Sequence, residues 1–200
     1  MGASFGLICS GYCVISIKKK FILRMIPIKT ASQIEGISIA GKIAASVLHA
    51  LCEAAKDSVT TGDLDFLAKK MIEDAGARSA CFMYPGQKGV KPFPGHVCIS
   101  INEEVVHGIP SLRTKLKEGD VVSLDVCINY KGFIADTART VGVGKIADDV
   151  KKLLDTTEKA LSEGISVATN GSKVGDISYA VQSCVQKNGF SVVRDFVGHG

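Results

Sequence analysis

Residues 119–141 read G-D-V-V-S-L-D-V-C-I-N-Y-K-G-F-I-A-D-T-A-R-T-V and predict a β-hairpin that carries two aspartates. Apolar and polar residues alternate over residues 122–129, which is the period of a strand buried on one face. Lys131 and Gly132 supply a short turn, because glycine adopts positive φ without strain. A second extended run over residues 133–143 then returns alongside the first.

The two aspartates, Asp125 and Asp136, are predicted to share one face of this hairpin. A two-residue turn pairs Cys127 with Asp136 and Asp125 with Ala138, so the carboxylates are diagonal neighbours with Cβ atoms roughly 5.5 to 8 Å apart. Buried carboxylates that close repel each other, and a cation between them removes the conflict. Carboxylate oxygens suit divalent ions, and two ions about 3.5–4 Å apart are a known hydrolytic device. The other interpretation is two solvated aspartates on an exposed strand.

The composition is that of a globular protein, with 46% hydrophobic and 22% charged residues. The net charge of +4 comes from residues 1–24, because the basic residues after them equal the 20 acidic ones. This balance gives no support for nucleic-acid binding. The seven cysteines are scattered and contain no C-x-x-C pair, which favours free thiols in a reducing compartment over a disulfide framework.

Residues 1–24 are interpreted as an N-terminal extension to a domain of residues 25–200, and we expect the extension to be disordered. Residues 2–17 are uncharged and fairly apolar, and three lysines follow them. A secretory signal carries its charge ahead of the apolar run, and a membrane-spanning helix needs about 20 residues. A short membrane anchor and a natural start at Met25 are the alternatives.

The rest of the domain contains further helical and extended patterns. A first helix is predicted to begin at an N-cap, Thr30 or Ser32, with Glu35 completing a capping box for Ser32, and to end near residue 56. The other predicted elements are helices over residues 64–74, 148–163 and 174–187, a short strand over 97–101 and an extended piece over 190–193. Residues 78–96 are predicted to be irregular, because they contain several prolines and glycines.

The two halves of the domain also echo each other. S-V-x-T occurs at residues 58–61 and again at 166–169, and each copy leads to a Gly-Asp pair that opens a helix. Chance similarity between two helix-turn-helix units is the alternative. If the repeat is real, the second copy stops where its strands begin.

Histidines supply the remaining candidate site residues. His199 lies between two glycines and could be a third ligand, since imidazole commonly joins carboxylates at metal sites. His107 precedes Gly-Ile-Pro in a constrained loop, where it could contact substrate or transfer a proton. A frayed terminal histidine and an ordinary loop histidine are the alternatives. His49 is predicted to be a solvated helix residue, and His96 is predicted to be a loop residue without a functional partner.

Six motifs taken together resemble the type I methionine aminopeptidases. They are I-K-T at 28–30, C-I-S-I-N-E at 98–103, V-H-G-I-P at 106–110, L-D-V at 124–126, A-D-T at 135–137 and F-S-V-V-R-D-F-V-G-H-G at 190–200. The resemblance covers about residues 26–200. It implies the α+β pita-bread fold, in which two pseudo-symmetric α/β halves share a curved antiparallel sheet, with the second half incomplete here. It also implies removal of the initiator methionine from nascent proteins whose second residue is small.

The resemblance assigns roles to individual residues. Asp125, Asp136 and His199 match three of the five ligands of a centre with two divalent ions, for which cobalt, manganese, iron and zinc are all suitable. His107 matches the histidine that contacts the substrate and helps to stabilise the transition state. Four residues fall near positions that line the methionine pocket: Cys81, Tyr84, Phe93 and Cys98. Phe93 stands where a tyrosine is common, and residues 84–94 form a longer stretch than usual.

The two glutamate ligands that the resemblance implies should follow His199, and the sequence ends at Gly200. We therefore expect the chain to be a fragment or a natural truncation. Because a metal site needs its full ligand set for affinity and geometry, we expect residues 1–200 alone to bind metal weakly and hydrolyse little.

The resemblance further implies a cytoplasmic monomer that acts on nascent N-termini, with the ribosome as a plausible partner and neither nucleic acid nor membrane as one. Two other functions remain open. A prolidase or Xaa-Pro aminopeptidase shares the fold and ligand pattern, but the V-H-G-I-P motif and the lack of a large N-terminal domain argue against it. The other is a non-catalytic pita-bread module that binds a partner, against which the intact Asp125, Asp136 and His199 argue.

Overall fold

The computed structural model describes residues 27–86 and 89–194, and within them the chain forms four helices and four strands. In chain order the elements are α1 (Ala31–Ala54), α2 (Thr61–Asp74), β1 (Arg78–Ser79), β2 (Cys98–Ile101), β3 (Val121–Tyr130), β4 (Phe133–Gly142), α3 (Asp148–Ser166) and α4 (Val174–Lys187). The predicted extension, residues 1–24, and the predicted ligand His199 lie outside the described residues.

The β3–β4 hairpin has the predicted register. Tyr130 pairs with Phe133 across a two-residue turn, in which Lys131 and Gly132 have φ values of +51° and +92°. Positive φ at both positions matches the right-handed twist of the two strands. The side chain of Asn129 accepts a hydrogen bond of 2.8 Å from the Gly132 amide, which adds a further constraint on the turn.

β3 is the central strand of an antiparallel sheet. β4 pairs along the full length of one edge of β3, and β1 and β2 both pair with β3 as well, so they share its other edge. The alternation of β3 places four apolar side chains, each 0% exposed, on one face: Val122, Leu124, Val126 and Ile128. α1 and α2 cover this face, and the opposite face carries the polar residues.

α1 begins at the earlier of its two predicted N-caps, Thr30, which lies two residues before Ser32. Thr30 is the N-cap: its side chain accepts from the Gln33 amide at 3.3 Å, and the Gln33 side chain accepts from the Thr30 amide at 2.8 Å. The predicted capping box of Ser32 with Glu35 is therefore wrong, because Ser32 already lies inside the helix. The helix ends at Ala54, two residues before the predicted end near residue 56.

By length and composition α1 is apolar enough to cross a membrane, and it is the one such helix among the described residues. Its apolar stripe is nevertheless used in the protein core, since Ala40, Ala44 and Leu51 are 0% exposed against the sheet and α2. A core helix of a soluble protein commonly passes the same composition test.

α3 and α4 form a second helical pair with a small core of their own. Ala160, Cys184 and Val185 are buried between the two helices, and Phe190 and Val192 pack against them. α4 has the predicted bounds, and α3 extends three residues past its predicted end. Residues 190–193 form no strand within the described part of the chain, so the predicted extended piece is not a sheet strand there.

Candidate metal centre and substrate pocket

The polar face of the hairpin brings Asp125 and Asp136 together. Cys127 pairs with Asp136, and Asp125 pairs with Ala138, so the two aspartates are diagonal neighbours on one face, as the alternation predicts. The buried face of β3 fixes this arrangement, because a slip of one residue would turn its core side chains towards solvent.

The two carboxyl groups interact directly. Loss of solvent raises the pKa of Asp136 above its usual value, and a hydrogen bond shared with Asp125 partly opposes that rise. One oxygen of Asp125, Oδ1, is buried. Two carboxyl groups held together in a partly desolvated place favour a proton or a cation between them, and their oxygens are ligands that suit divalent metal ions. The residues present therefore fit a metal site.

Two ligands alone do not complete such a site. Among residues 27–86 and 89–194 the structure contains no group of three or more histidine, cysteine, aspartate or glutamate side chains arranged to hold a metal ion. A third ligand would have to come from elsewhere, and the predicted third ligand, His199, lies outside the described residues.

Three cysteine thiols adjoin the aspartates. Cys98 on β2 pairs directly with Asp125, and Cys127 lies opposite Asp136. The Cys98 thiol donates a hydrogen bond to Cys81, which lowers the pKa of the Cys81 thiol and raises that of Cys98. Burial raises the pKa of Cys127 to about 12. Cys98 and Cys127 therefore stay protonated at neutral pH, and they present polarisable, uncharged surface beside the carboxylates.

The loop between β1 and β2 carries the predicted pocket residues Tyr84 and Phe93. The Phe93 amide donates to the Tyr84 carbonyl at 3.0 Å, and the Met83 amide donates to the Phe93 carbonyl at 2.8 Å. These bonds hold the two halves of the loop side by side. Tyr84 is 49% exposed and Phe93 is partly buried, so both can contact a bound molecule.

Two residues that the sequence interpretation missed anchor this loop. Ser79 Oγ donates to the His96 carbonyl at 2.6 Å and accepts from the Cys81 amide at 3.1 Å, so it joins the two ends of the loop. Asp65 on α2 accepts hydrogen bonds from the His96 and Val97 amides at 2.6 and 3.1 Å. No local sequence signal predicts either contact, because the bonded residues are far apart in the chain.

His96 lies in a loop, as predicted, and it makes one ring contact that the sequence did not predict. Its ring stacks on the ring of Phe82, with centroids 4.5 Å apart and an angle of 9° between the planes. His49 is exposed on α1, as predicted.

His107 lies at the outer edge of β2, on the side away from β3. The Ile99 amide donates to the Gly108 carbonyl at 3.0 Å, and the Gly108 amide donates to Ser100 Oγ at 3.0 Å. These bonds fix the loop against the strand that carries Cys98. His107 itself is exposed and has a φ of +58°, a left-handed conformation that is uncommon for residues other than glycine. Such conformations cluster at functional sites.

Comparison with known proteins identifies the family of the chain. The family model described as "Metallopeptidase family M24" matches residues 35–200 of this chain. The methionine aminopeptidase of Clostridium acetobutylicum is 43% identical over 176 residues, which are 88% of this chain and 68% of that protein. Methionine aminopeptidase 1 of Bacillus subtilis is 41% identical over 176 residues, which are again 88% of this chain and 68% of that protein.

The chain belongs to the methionine aminopeptidases of metallopeptidase family M24. The crystal structure of methionine aminopeptidase from Rickettsia prowazekii superimposes with a TM-score of 0.81 at 40% identity, covering 88% of this chain and 68% of that one. As a member of this family the chain has the pita-bread fold, and it spans about two thirds of the length of these relatives. The family depends on divalent metal. The prolidase from Pyrococcus furiosus matches with a TM-score of 0.69 at 20% identity, which shows a shared fold alone.

Proposed function

We propose that residues 25–200 form the catalytic domain of a methionine aminopeptidase that removes the initiator methionine from nascent polypeptides with a small second residue. The observation that carries the proposal is the pair Asp125 and Asp136 on the open face of the hairpin, beside the Cys98 strand, in a chain 43% identical to a curated methionine aminopeptidase. The enzyme acts in the cytoplasm as a monomer on N-termini that emerge from the ribosome.

The metal centre would use Asp125, Asp136 and His199 as ligands to two divalent ions, which cobalt, manganese, iron or zinc could supply. The resemblance places the two glutamates of the family's ligand set after His199. When bound, such ions supply a nucleophilic hydroxide at neutral pH and positive charge for the developing oxyanion. The assignment of Asp125 and Asp136 is supported by their position on one face of the hairpin, where both carboxylates could bind the same ion.

The substrate would lie across the neighbouring strand and loop. Its methionine side chain contacts the pocket formed by Cys81, Tyr84, Phe93 and Cys98, where thiols and aromatic rings suit a polarisable thioether. His107, at the outer edge of β2, contacts the scissile carbonyl and stabilises negative charge on its oxygen. The hydrogen bonds of Gly108 to β2 orient this histidine relative to the pocket.

A metal titration tests the ligand assignment on the chain itself. We expect the 200-residue chain to bind Mn²⁺ weakly, and Asp136→Asn to weaken the binding by about tenfold or more, since it removes a charged oxygen ligand. The matched control is Asp74→Asn, which neutralises an exposed aspartate at the end of α2. Isothermal titration calorimetry measures all three proteins. Equal affinity for the wild type and Asp136→Asn would contradict the assignment.

A peptide assay tests the reaction. The 200-residue chain should release little methionine from Met-Ala-Ser. A chimaera that continues after Gly200 with the C-terminal part of the Clostridium acetobutylicum relative should release it in a metal-dependent manner, and Asp125→Asn in the chimaera should lower the rate about a hundredfold or more. Cleavage of Ala-Pro instead of Met-Ala peptides would favour the prolidase alternative. A folded chimaera that cleaves neither would favour the non-catalytic module.

A further inference from the structure

The loop that carries Tyr84 and Phe93 has little apolar support of its own. We call its two described limbs, residues 80–86 and 89–97, the pocket loop. Phe82, Met83 and Tyr84 are 46%, 57% and 49% exposed, and backbone hydrogen bonds between Met83, Tyr84 and Phe93 join the limbs. A segment with few buried apolar contacts opens readily. The shape of the pocket loop therefore depends on what attaches it to the rest of the protein.

Asp65 attaches one limb of the pocket loop to α2. A single carboxylate oxygen, Oδ1, accepts hydrogen bonds from the His96 amide at 2.6 Å and from the Val97 amide at 3.1 Å. Hydrogen bonds to a charged acceptor are stronger than those between neutral groups. α2 is itself fixed in the main core, because its Leu64 and Ile72 are each 1% exposed. Asp65 thus joins an exposed loop to a helix whose position the core determines.

The backbone of His96 is held from both sides. Its amide donates to Asp65, and its carbonyl accepts a hydrogen bond of 2.6 Å from Ser79 Oγ. The same Ser79 oxygen accepts from the amides of Cys81 and Phe82 at 3.1 and 3.0 Å, and those amides belong to the other limb. The stacked rings of Phe82 and His96 form a further contact between the limbs. The bonds from Asp65 therefore reach the point at which both limbs meet.

The pocket loop also contacts the loop that contains His107. Gly95 precedes His96, and a Cβ atom added to Gly95 would lie 2.7 Å from Cδ of Pro110 and 3.1 Å from Cε1 of Phe93. Pro110 therefore packs directly against the backbone of the pocket loop. A displacement of His96 would move Gly95 as well, and it would open the contact between the two loops that the proposed function assigns to the substrate.

We propose that Asp65 is a positioning residue for methionine recognition, which holds the pocket loop against α2 so that Tyr84 and Phe93 stay in place to contact the methionine side chain. Asp65 acts through the backbone of His96 and Val97 and not by touching the substrate. Small misplacements of binding groups lower catalytic efficiency strongly. The identity of the substrate rests on the proposed function, whereas the attachment of the loop is measured without activity.

Native-state hydrogen exchange of the full 200-residue chain tests the attachment. In the wild type we expect the His96 and Val97 amides to be protected about as well as the Ile99 amide, which is bonded to the backbone of the neighbouring loop. Asp65→Ala should raise the exchange rate of the pocket loop about tenfold or more and leave α1 unchanged, because it frees the loop without removing a core side chain. Rapid exchange of the His96 and Val97 amides in the folded wild type would overturn the proposal, and this measurement needs no variant to fold.

Two further variants separate the hydrogen-bonding role of Asp65 from a general loss of charge. Asp65→Asn should retain most of the protection, because both bonds end on one oxygen and asparagine keeps an oxygen that can accept them. Asp74→Ala removes an exposed carboxylate at the end of the same helix and should leave the pocket loop unchanged. Unaltered exchange of the pocket loop in folded Asp65→Ala would overturn the proposal.

Kinetics of the chimaera with the C-terminal part of the Clostridium acetobutylicum relative test the consequence for recognition. Asp65→Ala should raise KM for Met-Ala-Ser about tenfold with a smaller change in kcat, and Asp65→Asn should recover most of the loss. A merely structural role would reduce the amount of active enzyme, so kcat would fall with KM unchanged, and that result would overturn the proposal. A wild-type chimaera that cleaves no peptide would instead contradict the proposed function, while hydrogen exchange still decides whether Asp65 holds the loop.

Discussion

Among the described glycines, Gly108 is the one at which an added Cβ atom would come closest to a neighbouring atom. A Cβ atom added there would lie 2.1 Å from the carbonyl oxygen of Ile99, which belongs to the backbone of β2 and has little freedom to move. The close approach permits the two hydrogen bonds that fix the loop beside the strand. His107, the adjacent residue, therefore owes its position to the glycine that follows it.

We expect Gly108→Ala to destabilise the chain by about 1–3 kcal/mol, because the loop must move away from β2 to accommodate the methyl group. Gly41→Ala is the matched control. Gly41 lies inside α1 with nothing within 4 Å of an added Cβ, so alanine there should stabilise the chain by about 0.5–1 kcal/mol. Urea denaturation measures both. Equal effects of the two substitutions would show that the Gly108 contact is not rigid.

At the level of elements, the start of α1 depends on one local hydrogen-bond pattern. Thr30 and Gln33 satisfy each other's backbone amides, although both are exposed. Ser32 has a good N-cap side chain and a glutamate three residues later, yet it is a helical residue here. Two overlapping capping signals were present in the sequence, and the one that begins further upstream gives the longer helix.

Substitution of Thr30 and of Ser32 distinguishes the two possible N-caps of α1. Thr30→Ala should destabilise the chain by about 1 kcal/mol, because it leaves a helical amide without its side-chain acceptor. Ser32→Ala should change the stability by less than about 0.5 kcal/mol, since it alters an exposed helical position. Thermal denaturation measures the difference. A larger effect at Ser32 than at Thr30 would place the N-cap at Ser32.

At the scale of the whole molecule, residues 27–86 and 89–194 contain two cores of very different size. The core formed by α1, α2 and the sheet contains long apolar side chains that are fully buried, among them Leu51, Leu64 and Leu124. The core between α3 and α4 buries only three residues within the described part of the chain. Local stability follows buried apolar contact, so the two helical pairs should differ in how readily they open.

Native-state hydrogen exchange tests this difference. We expect backbone amides of α4 to exchange through openings of lower free energy than those of α1, although both segments are regular helices. α1 is the internal control for helical hydrogen bonding, because it differs from α4 in the core that it contacts. Equal protection of α1 and α4, measured by mass spectrometry, would show that the two cores unfold as one cooperative unit.

The sequence by itself determined the hairpin and the face that carries its aspartates. The period of two and the Lys131-Gly132 turn are local features, and together they fix the register that places Asp125 beside Asp136. The periodicity of apolar residues is also a local feature, and it predicted the helices. The assignment of His199 as a third ligand stays a prediction, since that residue lies outside the described part of the chain.

Only the tertiary structure decided what surrounds those aspartates. β1 and β2 meet along one edge of β3, and that meeting brings Cys81 to Cys98. The assembly of the tertiary structure also accounts for the anchoring roles of Ser79 and Asp65 and for the close approach of Gly108 to β2. These contacts join residues that are distant in the chain, so their formation depends on how the sheet assembles and not on any local pattern.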